Sequence, residues 1–198
     1  MKKTLIVFLF FFINVTCFSQ KHTKDTLTKT TIISFIKWYL QNKDNLVEQP
    51  GRIIMEEGKP YRVNFTETSK YVNRLRKSEM LSELYLKELQ HYFIRCDSNF
   101  VKYPQMFHVP HGFDFDLVLK SNDYDNVINN LNNAEIGSYK RVKNTVKITL
   151  DFIIKNSMSN LIESYTFQLS KHKGKWLIDK INGDFPTEID HKEISWPK

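Results

Sequence analysis

Polar and apolar positions alternate most regularly between Ser138 and Gly183. Val142, Val146, Ile148, Leu150, Phe152 and Ile154 fall on even positions, and Arg141, Lys143, Thr145, Lys147, Thr149 and Asp151 on odd ones. Successive side chains of a strand point to opposite faces, so this run predicts a strand with one buried and one wet face. A second strand, near Leu161 to Ser170, sets Tyr165, Phe167 and Leu169 against Ser164, Thr166 and Gln168. The polar turn Lys171 to Gly174 makes a hairpin with a third strand over Trp176 to Ile181. That third strand is apolar on both faces, which predicts at least partial cover on each side. The whole stretch reads as three strands in succession.

Before it, the period changes to that of helices. Gln20 to Thr28 is polar and reads as a loose lead-in. Thr30 or Thr31 then caps a helix to about Asn42, with Ile32, Phe35, Ile36, Tyr39 and Leu40 as its apolar stripe. Trp38 lies off that stripe and either packs at the core rim or lines a pocket. Ile53 to Met55 and Tyr61 to Phe65 read as a hairpin. Thr66 or Thr68 caps a second helix through about Lys77, and Ser82 starts a third to about Asp97. Cys96 falls on the inward side of this third helix and reads as a small buried hydrophobe; no local base supports a nucleophile.

Asn99 to Gly112 is a long connection that carries Phe100, Tyr103, Met106, Phe107 and Val109. An apolar loop of this length folds back on something: as a lid over a cavity, as a partner-facing patch, or as a plug in the core. Phe113 to Leu119 alternates again, with Asp114 and Asp116 on one strand face. Ser121 to Asp123 caps a short helix to about Asn132. Residues 184–198 read as a tail.

The N-terminus changes the compartment. Lys2 and Lys3 precede an unbroken apolar run, Leu5 to Ile13, and Cys17 and Ser19 stand at the −3 and −1 positions before Gln20. This is the pattern of a secretory signal peptide over residues 1–19, and the run is too short to span a bilayer. The alternative is a lipoprotein signal acylated at Cys17, for which Asn14 to Thr16 is a poor match. The expected location is therefore periplasmic or extracellular, with no transmembrane segment after processing. Cleavage leaves Cys96 as the one cysteine, so folding relies on packing and not on an internal disulfide. Without Lys2 and Lys3 the 29 basic residues fall to 27 against 22 acidic ones, a net charge of +5. Charges of both signs are interspersed, which argues against a nucleic-acid partner.

Candidate chemistry is sparse. Asp114 and Asp116 at i, i+2 on a strand stand about 6.6 Å apart, close enough to divide acid and base roles; the plainer alternative is that both face water or satisfy loop amides. His108 and His111, with the two aspartates, hold enough donors for a divalent ion, although Pro110 between them prevents a helical pair. His22, His91, His172 and His191 are scattered among polar residues. No glycine-rich phosphate loop, Ser/His/Asp arrangement or paired-cysteine motif occurs, and no cofactor is expected.

Helices followed by a sheet that closes on Gly174 to Ile181 (GKWLIDKI) resemble the nuclear transport factor 2-like α+β cone superfamily. More narrowly, Asp114 to Tyr124 (DFDLVLKSNDY) and Trp176 to Asp179 (WLID) are similar to a family of exported bacterial domains with that fold. The likeness spans about residues 29–183, the expected single domain. It implies helices packed in the concave face of a curved antiparallel sheet, with a pocket at the open end. It implies no single activity, since the superfamily includes isomerases and dehydratases that use carboxylates or histidines in the cone as well as binding modules. The leading expectation is a non-catalytic binding domain. It would hold a small apolar or amphipathic ligand, or an envelope or extracellular protein, at the cone mouth through Trp38, Tyr103, Phe107, Asp114 and Asp116. The alternatives are an acid–base enzyme using Asp114 or Asp116 and an inhibitor or immunity-type protein acting by surface contact. A homodimer through the outer sheet face is compatible with each.

Overall fold

The computed structural model describes residues 26–42, 46, 52–106, 110, 112–113, 116–120, 129–155 and 160–185. Helix α1 covers residues 26–41. It buries Thr28, Ile32, Phe35, Ile36 and Tyr39, the expected stripe extended one turn backwards but with Leu40 only half-buried. The expected lead-in is thus already helical at Thr26, and Thr30 and Thr31 are interior positions, not caps. The Thr31 hydroxyl instead donates to the Leu27 carbonyl at 3.0 Å, the local bond that a threonine inside a helix makes.

Strands β1 (Ile53–Ile54) and β2 (Arg62–Val63) form the expected antiparallel hairpin. Phe65 does not continue it. Asn64 accepts the Glu67 N–H at 3.2 Å and so caps α2 (Phe65–Arg76), displacing Thr66 and Thr68 from that role. Helix α3 (Glu83–Lys102) starts at the expected cap, with Ser82 accepting from the Tyr85 N–H. It runs past Asp97 because the stripe continues: Cys96 and Phe100 are both buried one turn apart. Asp97 can remain inside because Arg62 grips both its oxygens, at 2.8 and 2.6 Å, and the Val63 N–H adds a third bond. This ties the hairpin to α3.

A 3-10 turn at Leu131–Asn133 leads into the main sheet, β3 (Ala134–Val142), β4 (Thr145–Lys155), β5 (Asn160–His172) and β6 (Lys175–Ile181), antiparallel in that order. Among the described residues this sheet has four strands, one more than the three expected from Ser138 to Gly183. Lys143 and Asn144 make a two-residue turn in which Val142 pairs with Thr145. Paired residues share a face, so Val142 joins Thr145 on the outer side and is 58% exposed despite its even number. From Val146 onwards the expected alternation holds. Val146, Ile148, Leu150 and Phe152 are buried opposite Leu169, Phe167, Tyr165 and Glu163. On β6, Trp176, Ile178 and Asp179 are buried and Leu177 is half-buried, in line with partial cover on both faces. The free edge of β6 takes Leu81 as a parallel bridge: Ser82 N–H donates to the Ile178 carbonyl, and Ile178 N–H to that of Met80. The chain is α+β, with one cluster of buried apolar side chains contributed by helices, hairpin and sheet.

The expected strand over Phe113 to Leu119 is absent where it can be seen. Residues 117–119 form a turn, and Leu117, Val118 and Leu119 are all buried, without alternation. Phe185, read as the start of a surface tail, is buried against Tyr85 and Tyr92, at ring-centre distances of 5.7 and 5.2 Å.

Candidate functional site

The turn after Asp116 is shaped by its own side chain. One carboxylate oxygen accepts the Val118 N–H at 2.9 Å and the Leu119 N–H at 2.7 Å; the other accepts the Tyr39 hydroxyl at 2.8 Å. A carboxylate offers about four acceptor positions. One, on the oxygen bonded to Tyr39, is open among the described residues. Asp116 is 7% exposed. Burial pushes its carboxyl above the usual carboxylate range, and the three hydrogen bonds and the Arg52 charge oppose that rise.

Tyr71 from α2 and Tyr85 from α3 complete the constellation. The Arg52 guanidinium lies 4.9 Å from the Tyr71 ring centre. Burial raises the pKa of all three phenols, and the nearby Asp116 charge adds to the rise. At neutral pH they are protonated hydrogen-bond donors around an acceptor. Tyr39 spends its proton on Asp116. The Tyr85 hydroxyl is buried and has no hydrogen-bond partner among the described residues. A buried hydroxyl without a partner is uncommon and calls for an explanation. Tyr71 also borders a shallow crevice of about 190 Å³, partly open solvent, formed with Leu46, Arg52, Glu67 and Arg74. Asp116, Tyr39 and Tyr85 do not line that crevice.

Asp116 is not part of a strand, because the chain turns directly after it; Asp114 lies outside the described residues. Asp116 does satisfy loop amides, as the plainer reading had it, but it faces the interior and not water. Trp38 is half-buried, stacks on Phe35 at 6.4 Å and packs against the core. Tyr103 is 42% exposed at the end of α3, with the Lys102 ammonium 5.0 Å from its ring. Neither borders a described crevice. Phe107, His108 and His111 lie outside the described residues, so the expected lid and histidine pair do too. Among the described residues no group of three or more histidines, cysteines or acids could hold a metal ion. Burial pushes the Cys96 thiol up to about 12, which keeps it in the unreactive form.

Tyr39 and Tyr85 were legible only as members of apolar stripes, and Tyr71 carried no reading of its own. The signal for each is a phenol on a helix where leucine would pack as well, since a buried tyrosine normally requires a partner for its hydroxyl. Compared with protein-family models, curated proteins and solved structures, the chain matches none. Among the described residues no helix is long and apolar enough to cross a membrane.

Proposed function

We propose that this chain is an exported binding domain that holds a small amphipathic ligand against the Asp116–Tyr39–Tyr71–Tyr85 group. The observation that carries this reading is the Tyr85 hydroxyl, buried and without a partner among the described residues, within the electrostatic reach of the buried Asp116 carboxylate, which has an open acceptor position. A ligand head group that both donates and accepts would satisfy the two together, and the surrounding rings would bury its apolar part. The signal-like N-terminus and the resemblance to the α+β cone, whose concave face encloses a pocket, support the same reading.

A second reading, an acid–base enzyme, is favoured by one observation: burial raises the Asp116 carboxyl, as a general acid or base working near neutral pH requires. Its pull is limited by the amides and Tyr39, which stabilise the charged form and suit a fixed acceptor better than a proton shuttle.

Native mass spectrometry of the chain from Gln20, exported and gently purified, tests the binding reading. The expected result is a retained small-molecule mass that Asp116→Asn or Tyr85→Phe removes while the protein stays folded. Retention that is indifferent to both substitutions, or a bare chain from every preparation, would overturn it.

A further inference from the structure

We propose that the end of the main sheet formed by its two hairpin tips docks on an anionic lipid surface. The β3–β4 turn, Lys143 and Asn144, and the β5–β6 turn, Lys173 and Gly174, lie at the same end. The Lys171 N–H donates to the Asn144 carbonyl at 2.9 Å, so the two tips stand side by side. Two strand spacings separate their centres, about 10 Å. Arg141, Lys143, Lys171, Lys173 and Lys175 are all exposed there. Glu79, 3.5 Å from the Lys175 ammonium, is the one acid paired with any of these five among the described residues.

Interspersed along the sequence, the charges are sorted by the sheet. On its outer face Lys140 stands directly opposite Lys147, and Glu135 directly opposite Asp151. Like charges in cross-strand pairs are destabilising. Lys147 and Asp151 are four residues apart on β4, about 14 Å. Exchanging these two would turn both like pairs into opposite ones, so the observed order costs stability and creates a field along the sheet. The positive end of such a field turns towards a negative surface on approach. Both tips also hold a lysine where the backbone is left-handed, with φ +52° at Lys143 and +46° at Lys173. Glycine or asparagine meets that conformation at less cost. A lysine kept there in two neighbouring turns points to a use for its ammonium group.

Two features favour a bilayer over a polymer in solution. Apart from Arg141 the cations are lysines, point charges on flexible stems that need no fixed geometry in their partner. A fluid layer of head groups offers none. Val142, next to the first tip, is 58% exposed. An apolar side chain among cations gains burial at the boundary of head groups and acyl chains, and gains nothing from a polyanion in water. The Trp176 ring is buried, with the Arg141 guanidinium 5.5 Å from its centre, and so is not presented for base stacking. None of these residues belongs to the Asp116 group, so binding here and ligand retention there can fail independently.

The test is co-flotation of the exported, processed protein with vesicles of phosphatidylglycerol and phosphatidylcholine in equal parts. Vesicles of phosphatidylcholine alone are the charge control. Binding to the anionic vesicles only, weakening as salt is added, is expected. Replacing both turn lysines, Lys143→Asn with Lys173→Asn, should weaken it at least about tenfold. Asparagine suits the left-handed backbone, so that variant should fold at least as well as wild type. Lys37→Gln with Lys87→Gln removes the same charge from the exposed faces of α1 and α3 and should leave binding nearly unchanged. Equal weakening by the two pairs would mean that net charge alone attracts the protein, and would overturn the proposal. So would no binding to the anionic vesicles, or equal binding to both kinds. Tighter binding to duplex DNA than to the anionic vesicles would assign the tips to a nucleic acid and overturn it too.

Discussion

Tyr39 and Asp116 stand 77 residues apart in the chain and 2.8 Å apart in the fold. The bond joins α1 to the turn that precedes the sheet, and both partners are buried. Its removal is therefore unlike the loss of a surface contact. Tyr39→Phe leaves a buried carboxylate oxygen without a donor among the described residues. The expected destabilisation is about 1–3 kcal/mol, measured as the shift in a urea unfolding midpoint at neutral pH. Tyr103→Phe, at the exposed end of α3, should stay within about 0.5 kcal/mol of wild type. Equal effects at the two positions would mean that the Tyr39 bond contributes nothing beyond burial.

The two buried carboxylates Asp97 and Asp116 should give opposite slopes of stability against pH. The Arg62 hydrogen bonds hold the Asp97 carboxyl below its ordinary range. Its stabilising contribution is complete above about pH 3.9, the unfolded value, and is lost as pH falls through the lowered folded value. Arg62 is half exposed, so solvent screening keeps this contribution modest. Burial holds Asp116 above its ordinary range. Its contribution is complete below the unfolded value and is lost as pH rises through the raised folded one. Chemical denaturation of Asp97→Asn and Asp116→Asn across acid to neutral pH separates the two. The deficit of Asp97→Asn should grow as pH rises, and that of Asp116→Asn should shrink. A deficit for Asp116→Asn that grows with pH would show that its hydrogen bonds outweigh burial.

How much of this was legible in the sequence depends on whether the signal was local. Strands β4 to β6 and the stripes of α1 and α3 follow from side-chain period alone, and the structure has them. Strand β3 was missed because two local events broke its period. The two-residue turn at Lys143 and Asn144 reverses which parity faces inwards, and the register shifts again between Ile136 and Ser138. Phe113 to Leu119 failed for the opposite reason. Its alternation was real, but Asp116 turned inwards to bond Val118 and Leu119, and a local side-chain–backbone bond displaced the strand. The candidate site was legible only in Asp116. Its partners Tyr39, Tyr71 and Tyr85 come from three helices, and nothing short-range marks which buried phenols converge.

Tyr85 gives a prediction in which stability and binding part ways. Its buried hydroxyl has no partner among the described residues, so Tyr85→Phe removes an unsatisfied polar group and keeps the ring. In the absence of ligand the variant should be more stable than wild type, by up to about 1–3 kcal/mol, seen as a raised thermal midpoint. The same substitution should weaken any retained ligand. A gain in stability with undiminished retention would make the hydroxyl a packing flaw. A loss of stability would mean that the hydroxyl has a partner in the free protein.

Gly58 and Gly112 share a backbone conformation but not a neighbourhood, and alanine at each should separate two kinds of strain. Gly58 has φ +70° and nothing within 4 Å of where a Cβ would stand. Gly58→Ala should cost about 1–2 kcal/mol, the penalty for a side chain in the left-handed region. Gly112 has φ +85°, and its Cβ would come within 2.6 Å of the Tyr92 hydroxyl and 3.3 Å of the Cys96 sulfur. Tyr92 cannot simply withdraw, because that hydroxyl donates to the Gly112 carbonyl at 2.7 Å. Gly112→Ala should therefore add an overpacking cost of about 1–3 kcal/mol to the conformational one. A double-mutant cycle with Tyr92→Phe isolates that added part. Removing the hydroxyl should harm the Gly112→Ala protein less than it harms wild type, with a coupling of at least about 0.5 kcal/mol. Strict additivity would place the strain at Gly112 in the backbone alone and remove Tyr92 from the account.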